Sequence, residues 1–199
     1  SLARTIMVVP LEDGIAILEE CAAEPIIEKN CMCRYMSRGI KESCCINFGV
    51  MSEIAGRLPR FIPEKDKFFL TRKEAVARFT SHNRRGYIGT IWFGPFPYIN
   101  NLCSCANPEC AGIRPRFDFG IMSIYKAEYV ICVNDSACVG CGACAARCPF
   151  GALKMAPGGG MVSADIAACY GCGVCRHVCQ RGALYLAPRD EVPEVRGKY

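Results

Sequence analysis

The chain has no run of about eighteen apolar residues, which excludes a membrane-crossing helix on sequence grounds. Its opening stretch, Ser1 to Val9, is apolar but too short for the hydrophobic segment and cleavage site of a secretory signal. Only two histidines are present, His82 and His177, so histidine-rich metal chemistry has no ligands. There is no G-x-x-x-x-G-K-[ST] loop, and no G-x-G-x-x-G opens a helix after a strand. Nucleotide and flavin chemistry therefore have no motif.

What is abundant is cysteine. Seventeen occur in 199 residues. The count is odd and the spacings are tight, often C-x-C or C-x2-C. Thiols this close rarely pair with one another, so metal binding is the better reading than a disulfide framework. Clustered thiolates survive in a reducing compartment, and the expectation is a cytoplasmic protein of an anaerobe. Hydrophobic residues make up 51% of the chain, enough for a core in one or two domains. The formal charge of +5 treats every thiol as neutral. Two [4Fe–4S] sites at about −2 each bring the sum to about +1, and a third to about −1. Charge thus gives no case for nucleic acid as a partner.

The chain is organised around Cys138 to Cys179. Cys138, Cys141, Cys144 and Cys148 follow the spacing C-x2-C-x2-C-x3-C, and Cys169, Cys172, Cys175 and Cys179 repeat it. Eight thiols at this spacing suit two cubane [4Fe–4S] clusters. Gly140, Gly142, Gly171 and Gly173 relieve crowding in the ligand loops and free backbone N–H groups to point at sulfur. Residues 129–190 closely resemble the bacterial two-cluster ferredoxin module. That resemblance implies an exchange of the fourth ligands. One site would use Cys138, Cys141, Cys144 and Cys179, and the other Cys169, Cys172, Cys175 and Cys148. Gln180 stands after Cys179 where the family commonly has proline, whereas Pro149 follows Cys148. Phe150 and Tyr170 are expected to pack near the clusters and limit water, and His177 to be exposed rather than ligating.

Upstream, residues 3–9 read as a strand and Pro10 precedes a helix with Leu11, Ile15, Leu18 and Ala22 on one face. Cys21, beside that stripe, reads as a small buried residue. Residues 25–33 read as a strand, on which Cys31 and Cys33 would share a side. Arg34 is a candidate donor to a sulfur. Cys44 and Cys45 are adjacent, so on extended chain they would face opposite ways and not both ligate one site. Residues 46–51 read as a short strand. Residues 57–86 are basic and form a solvated face or a docking patch for an acidic partner. Within them Thr71-Arg-Lys-Glu74 is a capping box opening a helix with Ala75, Val76 and Phe79 inward. Tyr87–Phe93 is β-like, and Gly94-Pro-Phe-Pro97 breaks it. Cys103 and Cys105 again form a same-side pair, followed by Cys110. Cys132, inside the strand 129–134, is read as structural. Pro157-Gly-Gly-Gly160 forms the turn between the two halves of the repeat. Residues 191–199 close the chain as a charged tail, with Arg189 onward read as extended and a possible partner arm.

Cys31, Cys33, Cys45, Cys103, Cys105 and Cys110 are the candidate ligands of an upstream metal site. The segments Cys31-x-Cys33-Arg34, Cys45-Ile-Asn-Phe-Gly and Asn101-Leu-Cys103-Ser-Cys105 resemble those of larger cysteine-rich ferredoxin-domain iron–sulfur proteins that carry a C-x-C-R segment. This chain's second cysteine group is sparser than theirs, and its Cys33–Cys45 interval is short. Independently of that resemblance, two same-side pairs offer four thiolates. They fit a third [4Fe–4S] cluster or, alternatively, a closed four-thiolate zinc site. If Cys45 and Cys110 also ligate, the site is larger or holds two centres.

The expected fold is α+β: a mixed α/β cysteine-rich domain over residues 1–128 and a ferredoxin-type module over 129–190. The expected function is low-potential electron transfer, as a subunit or partner of a larger oxidoreductase in a hetero-oligomer with a redox protein. Membrane insertion is not expected. The alternative is a catalytic iron–sulfur reductase with an open-site cluster upstream.

Overall fold

In a computed structural model the described residues are 6–57, 67–93, 99–156, 158 and 160–199. Arg60 and Lys65 of the basic stretch, the Gly94–Pro97 break, Pro157 and Gly159 of the turn, and residues 3–5 of the first strand lie outside them.

The chain runs β1 (Ile6–Val9), α1 (Leu11–Ala16), β2 (Ile26–Asn30), α2 (Met32–Arg38), β3 (Ser43–Phe48) and α3 (Val50–Gly56). It continues through β4 (Lys67–Leu70), α4 (Arg72–Arg85), β5 (Ile88–Phe93), β6 (Ile99–Cys105), α5 (Arg114–Phe119) and β7 (Ile124–Tyr125). Then come β8 (Tyr129–Val133), α6 (Ala143–Arg147), β9 (Leu153–Met155), β10 (Val162–Ala164), a 3-10 helix (Val174–Val178) and β11 (Leu184–Pro188).

The first seven strands form one sheet in the order β4-β2-β3-β6-β5-β1-β7. Every pairing is antiparallel except β1 with β7. Side chains alternate across a sheet with a period of two, and here that period sorts chemistry. Val9, Ile26, Ile46, Phe48, Ile91 and Leu102 join Leu18, Ala22, Ala75 and Phe79 in an apolar core under α1 and α4. The opposite face carries Ile6, Val8, Ile88, Cys45, Cys103 and Cys105.

α4 forms as its capping box predicts. The Thr71 hydroxyl accepts from the Glu74 N–H, and the Glu74 carboxylate accepts from the Thr71 N–H at 2.8 Å. Gly86, at φ 103°, ends the helix in the left-handed region. After α1 the helix widens into a π turn over Ile17–Cys21. The wider turn keeps Leu18 and Ala22 buried but rotates Cys21 outward, so Cys21 is exposed rather than buried.

The C-terminal part holds two two-stranded sheets, β8 with β11 and β9 with β10. They flank the packed pair of α6 and the 3-10 helix. It is bound to the large sheet through polar contacts. Arg147 donates to the Arg85 carbonyl at 2.7 Å and the Arg84 carbonyl at 3.3 Å. A cation thus sits on the last carbonyls of α4, where the helix dipole favours it. Asn107 donates to the Pro149 carbonyl at 3.2 Å, and Arg176 reaches Glu12 at 2.8 Å. Arg189, fully buried, donates to the carbonyls of Ala127, Tyr129 and Cys169. The segment from Arg189 turns through a 3-10 helix, and Val195 is buried, so it is not extended. The Arg189 donors hold it down. No helix among the described residues is long and apolar enough to cross a membrane.

Phe79 is wholly buried and lies so close to Gly14 that a Cβ there would fall 2.1 Å from its ring. Phe79→Ala should therefore open a cavity between α1, α4 and the sheet. A destabilisation of about 3–5 kcal/mol is expected, read as a lowered denaturation midpoint of the metal-loaded protein.

Candidate metal centres

The two C-terminal runs fold as loops followed by single helical turns. Gly140, Gly142, Gly171 and Gly173 all have φ between 66° and 73°. Two of them are also sterically obligatory. A Cβ on Gly140 would meet the Gly160 carbonyl at 2.2 Å, and one on Gly171 the Tyr129 carbonyl at 2.2 Å. Left-handed backbone without a Cβ lets each loop curl with its sulfurs inward.

Cys138, Cys141 and Cys144 line one cavity of about 330 Å³ together with Cys179 from the other run. The remaining wall is mostly apolar and includes Val133, Val162, Val178, Ala183 and Leu184. Reciprocally, Cys148 of the first run lies among Cys169, Cys172 and Cys175 and acts electrostatically on all three. The fourth cysteine of each run thus faces the other run's loop. Cys132 stands outside both groups, against Tyr185.

Backbone donors reach these sulfurs. Cys148 Sγ accepts from the Ala152 N–H at 3.3 Å, and Cys179 Sγ accepts from the Ala183 N–H at the same distance. Cys169 Sγ accepts from Ile131 at 3.4 Å and Gly171 at 3.3 Å. Burial raises the Cys144, Cys169 and Cys172 thiols, and raises Cys175 to about 12. Neutral thiols in such a site lose their protons only to a cation. The donor set fits [4Fe–4S] ligation: four thiols per site, N–H groups aimed at sulfur, and an apolar wall. Phe150 stacks on Tyr170 at 4.3 Å between ring centroids, and Phe117 stacks on Phe150 at 5.6 Å. Tyr170 shares a buried cluster with Cys172, and Phe150 packs against it. His177 is exposed, with Nε2 2.6 Å from Asn83 Oδ1.

The upstream cysteines converge under the large sheet. Cys103 and Cys105 point to the thiol face of β6, and Cys45 on β3 lies opposite Cys103 in register. Cys31 and Cys33 reach the same place by a different route from the expected strand. β2 ends at Asn30, Cys31 caps α2, and Cys33 lies in its first turn. Met32–Arg38 are mostly good helix formers, and Gly39 in the left-handed region stops them, so the helix wins over the strand. Cys110 follows the β6 strand and donates to Cys105 Sγ at 3.3 Å.

Cys44 also belongs to this group, contrary to the expectation from strand alternation. The register of β2 and β3 shifts, with Lys29 opposite Cys45 but Asn30 opposite Ser43. Cys44 is the extra residue of a β-bulge, which re-aims a side chain. The Sγ atoms of Cys31, Cys44 and Cys45 lie within 4.8 Å of one another. A register slip of this kind leaves no mark in residue type, so the sequence hides it.

The resulting seven thiols form a ring. Cys31 interacts with Cys33, Cys44 and Cys45; Cys45 with Cys103; Cys103 with Cys105; and Cys110 with both Cys105 and Cys33. Cys105, hydrogen-bonded by Cys103, Cys110 and Thr90, is held well below the usual thiol range. Its donors Cys103 and Cys110 are raised. Arg34, buried, donates to Cys44 Sγ at 3.3 Å and pairs with Glu42 at 2.6 Å. The donor set is all sulfur, which suits an iron–sulfur or zinc centre.

Among known families, residues 137–184 match the model described as a 4Fe-4S dicluster domain. No curated protein matches the chain. With the cysteine runs, the match makes this segment a ferredoxin-like iron–sulfur module that binds [4Fe–4S] and serves electron transfer.

Gly171→Ala should force both a strained φ and a backbone clash, and iron content should fall by about one cluster. Gly182, at φ 62° with open space around it, provides the control. Gly182→Ala should keep the wild-type iron content.

Proposed function

We propose that the protein is a low-potential electron carrier with three metal centres, working as a subunit or partner of a larger oxidoreductase. Cys138, Cys141, Cys144 and Cys179 hold one [4Fe–4S] cluster, and Cys169, Cys172, Cys175 and Cys148 hold another. The upstream group of Cys31, Cys33, Cys45, Cys103, Cys105 and Cys110 supplies the ligands of a third, preferably [4Fe–4S]; a four-thiolate zinc site is the alternative. Each cluster, when bound, takes up and releases single electrons.

The observation that carries this reading is the shared core. The upstream cysteines, Tyr170, Cys172 and Val174 belong to one continuous buried cluster. The protein's own residues do three things there. They keep water out with aliphatic and aromatic side chains, they hold N–H donors on the sulfurs, and they fix the two cysteine groups side by side. Backbone N–H groups on sulfur raise a cluster's potential. Cys172 lies inward, in the same buried cluster as the upstream thiols. The Cys138 group lines the cavity, with Cys141 exposed. Electrons therefore exchange with the partner at the Cys138 end.

Several cations of the basic stretch are engaged within the chain. Arg78 reaches Glu28 at 3.6 Å and Arg85 reaches Glu42 at 2.7 Å. An acidic docking partner for this face is accordingly a weaker reading than a redox protein at the exposed end. A reducing cytoplasm is the setting that suits so many free thiols. The second reading, a catalytic reductase, draws on the Cys31, Cys44 and Cys45 trio, since three protein ligands leave a metal position open.

Metal analysis and EPR of anaerobically purified protein test this. About twelve irons per chain and three distinguishable clusters are expected. About eight irons would overturn the third cluster. A change in one cluster's signal on adding a reducible substrate would favour the catalytic reading. Cys148→Ser should perturb the cluster of the second run, at Cys169, Cys172 and Cys175. Perturbation of the first-run cluster instead would contradict the exchange of ligands.

A further inference from the structure

The upstream ring holds more sulfur than one four-thiolate centre uses. Its seven thiols divide around Cys103. On one side Cys31, Cys44 and Cys45 lie within 4.8 Å of one another, and all three are buried. On the other, Cys105 and Cys110 are 3.3 Å apart and Cys110 also contacts Cys33. Cys103 touches Cys45 on one side and Cys105 on the other. Cys31 and Cys33 close the ring at its far side. Two four-coordinate centres that share one thiolate need the number of sulfurs found here.

We propose that Cys31, Cys44 and Cys45, with Cys103 as a shared fourth ligand, hold one thiophilic divalent ion of the zinc type beside the third centre. This rests on the reading that the upstream thiols bind metal. The third centre then keeps Cys33, Cys105, Cys110 and its share of Cys103. Spacing favours a single ion in the first set. Zinc–sulfur bonds of about 2.3 Å in a tetrahedron draw four sulfurs close around one point, and three buried sulfurs already lie within 4.8 Å of one another here. A thiolate has lone pairs enough to bridge two metals.

The surroundings match an anionic four-sulfur site. Four thiolates around a divalent ion carry two net negative charges in a buried place, which is unfavourable without compensation. Arg34 supplies it by donating to Cys44, while its other amino group reaches the Ser104 carbonyl at 3.4 Å. Glu42 binds Arg34 and also Arg85 and the Tyr87 hydroxyl, so the network of two arginines and one carboxylate keeps one net positive charge. Arg34 also lies 4.0 Å from the centre of the Tyr87 ring, which holds the guanidinium in place. The bulge is the second sign of a built site. It departs from regular pairing at one residue, and that residue is the cysteine this set needs. Binding releases the thiol protons to solvent, with no change of oxidation state.

The test is metal content of the full chain purified without oxygen, wild type against Cys44→Ser. Wild type should carry one zinc per chain besides its iron, and Cys44→Ser should lose that zinc and keep all of its iron. Zinc X-ray absorption of the wild type should show four sulfurs at about 2.3 Å, a readout that stands even if the variant fails to fold. Wild-type protein without zinc, zinc with nitrogen or oxygen ligands, or a Cys44→Ser protein that keeps its zinc would overturn the proposal. So would loss of about four irons with Cys44→Ser, because Cys44 would then ligate the cluster. Iron near eight together with zinc that Cys44→Ser removes would instead overturn the third cluster and leave the zinc site standing.

Discussion

The structure depends on the alternation of side chains along β6 and along β3 from Cys45 onward, two strands paired in the middle of the large sheet. Ile46, Phe48 and Leu102 point one way into the apolar core under α1 and α4. Cys45, Cys103 and Cys105 point the other way. One face of a single sheet is thereby given to ordinary hydrophobic packing and the other to sulfur. A sheet with helices on both faces could not offer this, since its second face would be covered by apolar side chains. Here the second face packs against Cys31, Cys110 and Ile113 together with Tyr170, Cys172 and Val174 of the iron–sulfur module.

That arrangement ties stability to metal. The core shared by Cys31, Cys45, Cys103, Cys105, Tyr170 and Cys172 fills with apolar groups and thiols together. Raised thiols such as Cys169 and Cys172 resist ionisation until a cation takes the protons' place. Folding and metal uptake therefore reinforce one another. Polar contacts add to this core at its edges. Arg147 on the end of α4 and Arg189 on three carbonyls each join segments far apart in sequence. Both use an arginine's several donors on more than one backbone oxygen.

Much of this was legible in the residues, and the limits have physical causes. Spacing along a loop is local, so the runs from Cys138 to Cys179 declared their chemistry. So did the capping box at Thr71 and the same-side pair of Cys103 and Cys105 on a strand. The six upstream candidates do meet, but Cys31 and Cys33 arrive from the start of a helix rather than along a strand. A strand that ends at Asn30 hands over to helix-forming residues stopped by a left-handed Gly39, a local signal that the C-x-C alternation overshadowed. Cys44 departs from the alternation that holds for regular strands. Its bulge follows from how β2 and β3 register against each other, a non-local fact. The same holds for Cys21, turned outward by a π turn, and for Arg189, whose burial depends on three distant carbonyls. Contacts between segments far apart in sequence leave little trace in local pattern.

The proposed upstream cluster lies against Cys172, in the buried core that the two cysteine groups share. EPR of the fully reduced protein tests this most directly, because neighbouring paramagnetic clusters split and broaden each other's signals. The upstream centre should give a signal that is split by interaction with the module and that simplifies when Cys172→Ser removes its neighbour. An upstream signal that is unsplit in the wild type and unchanged in Cys172→Ser would contradict it.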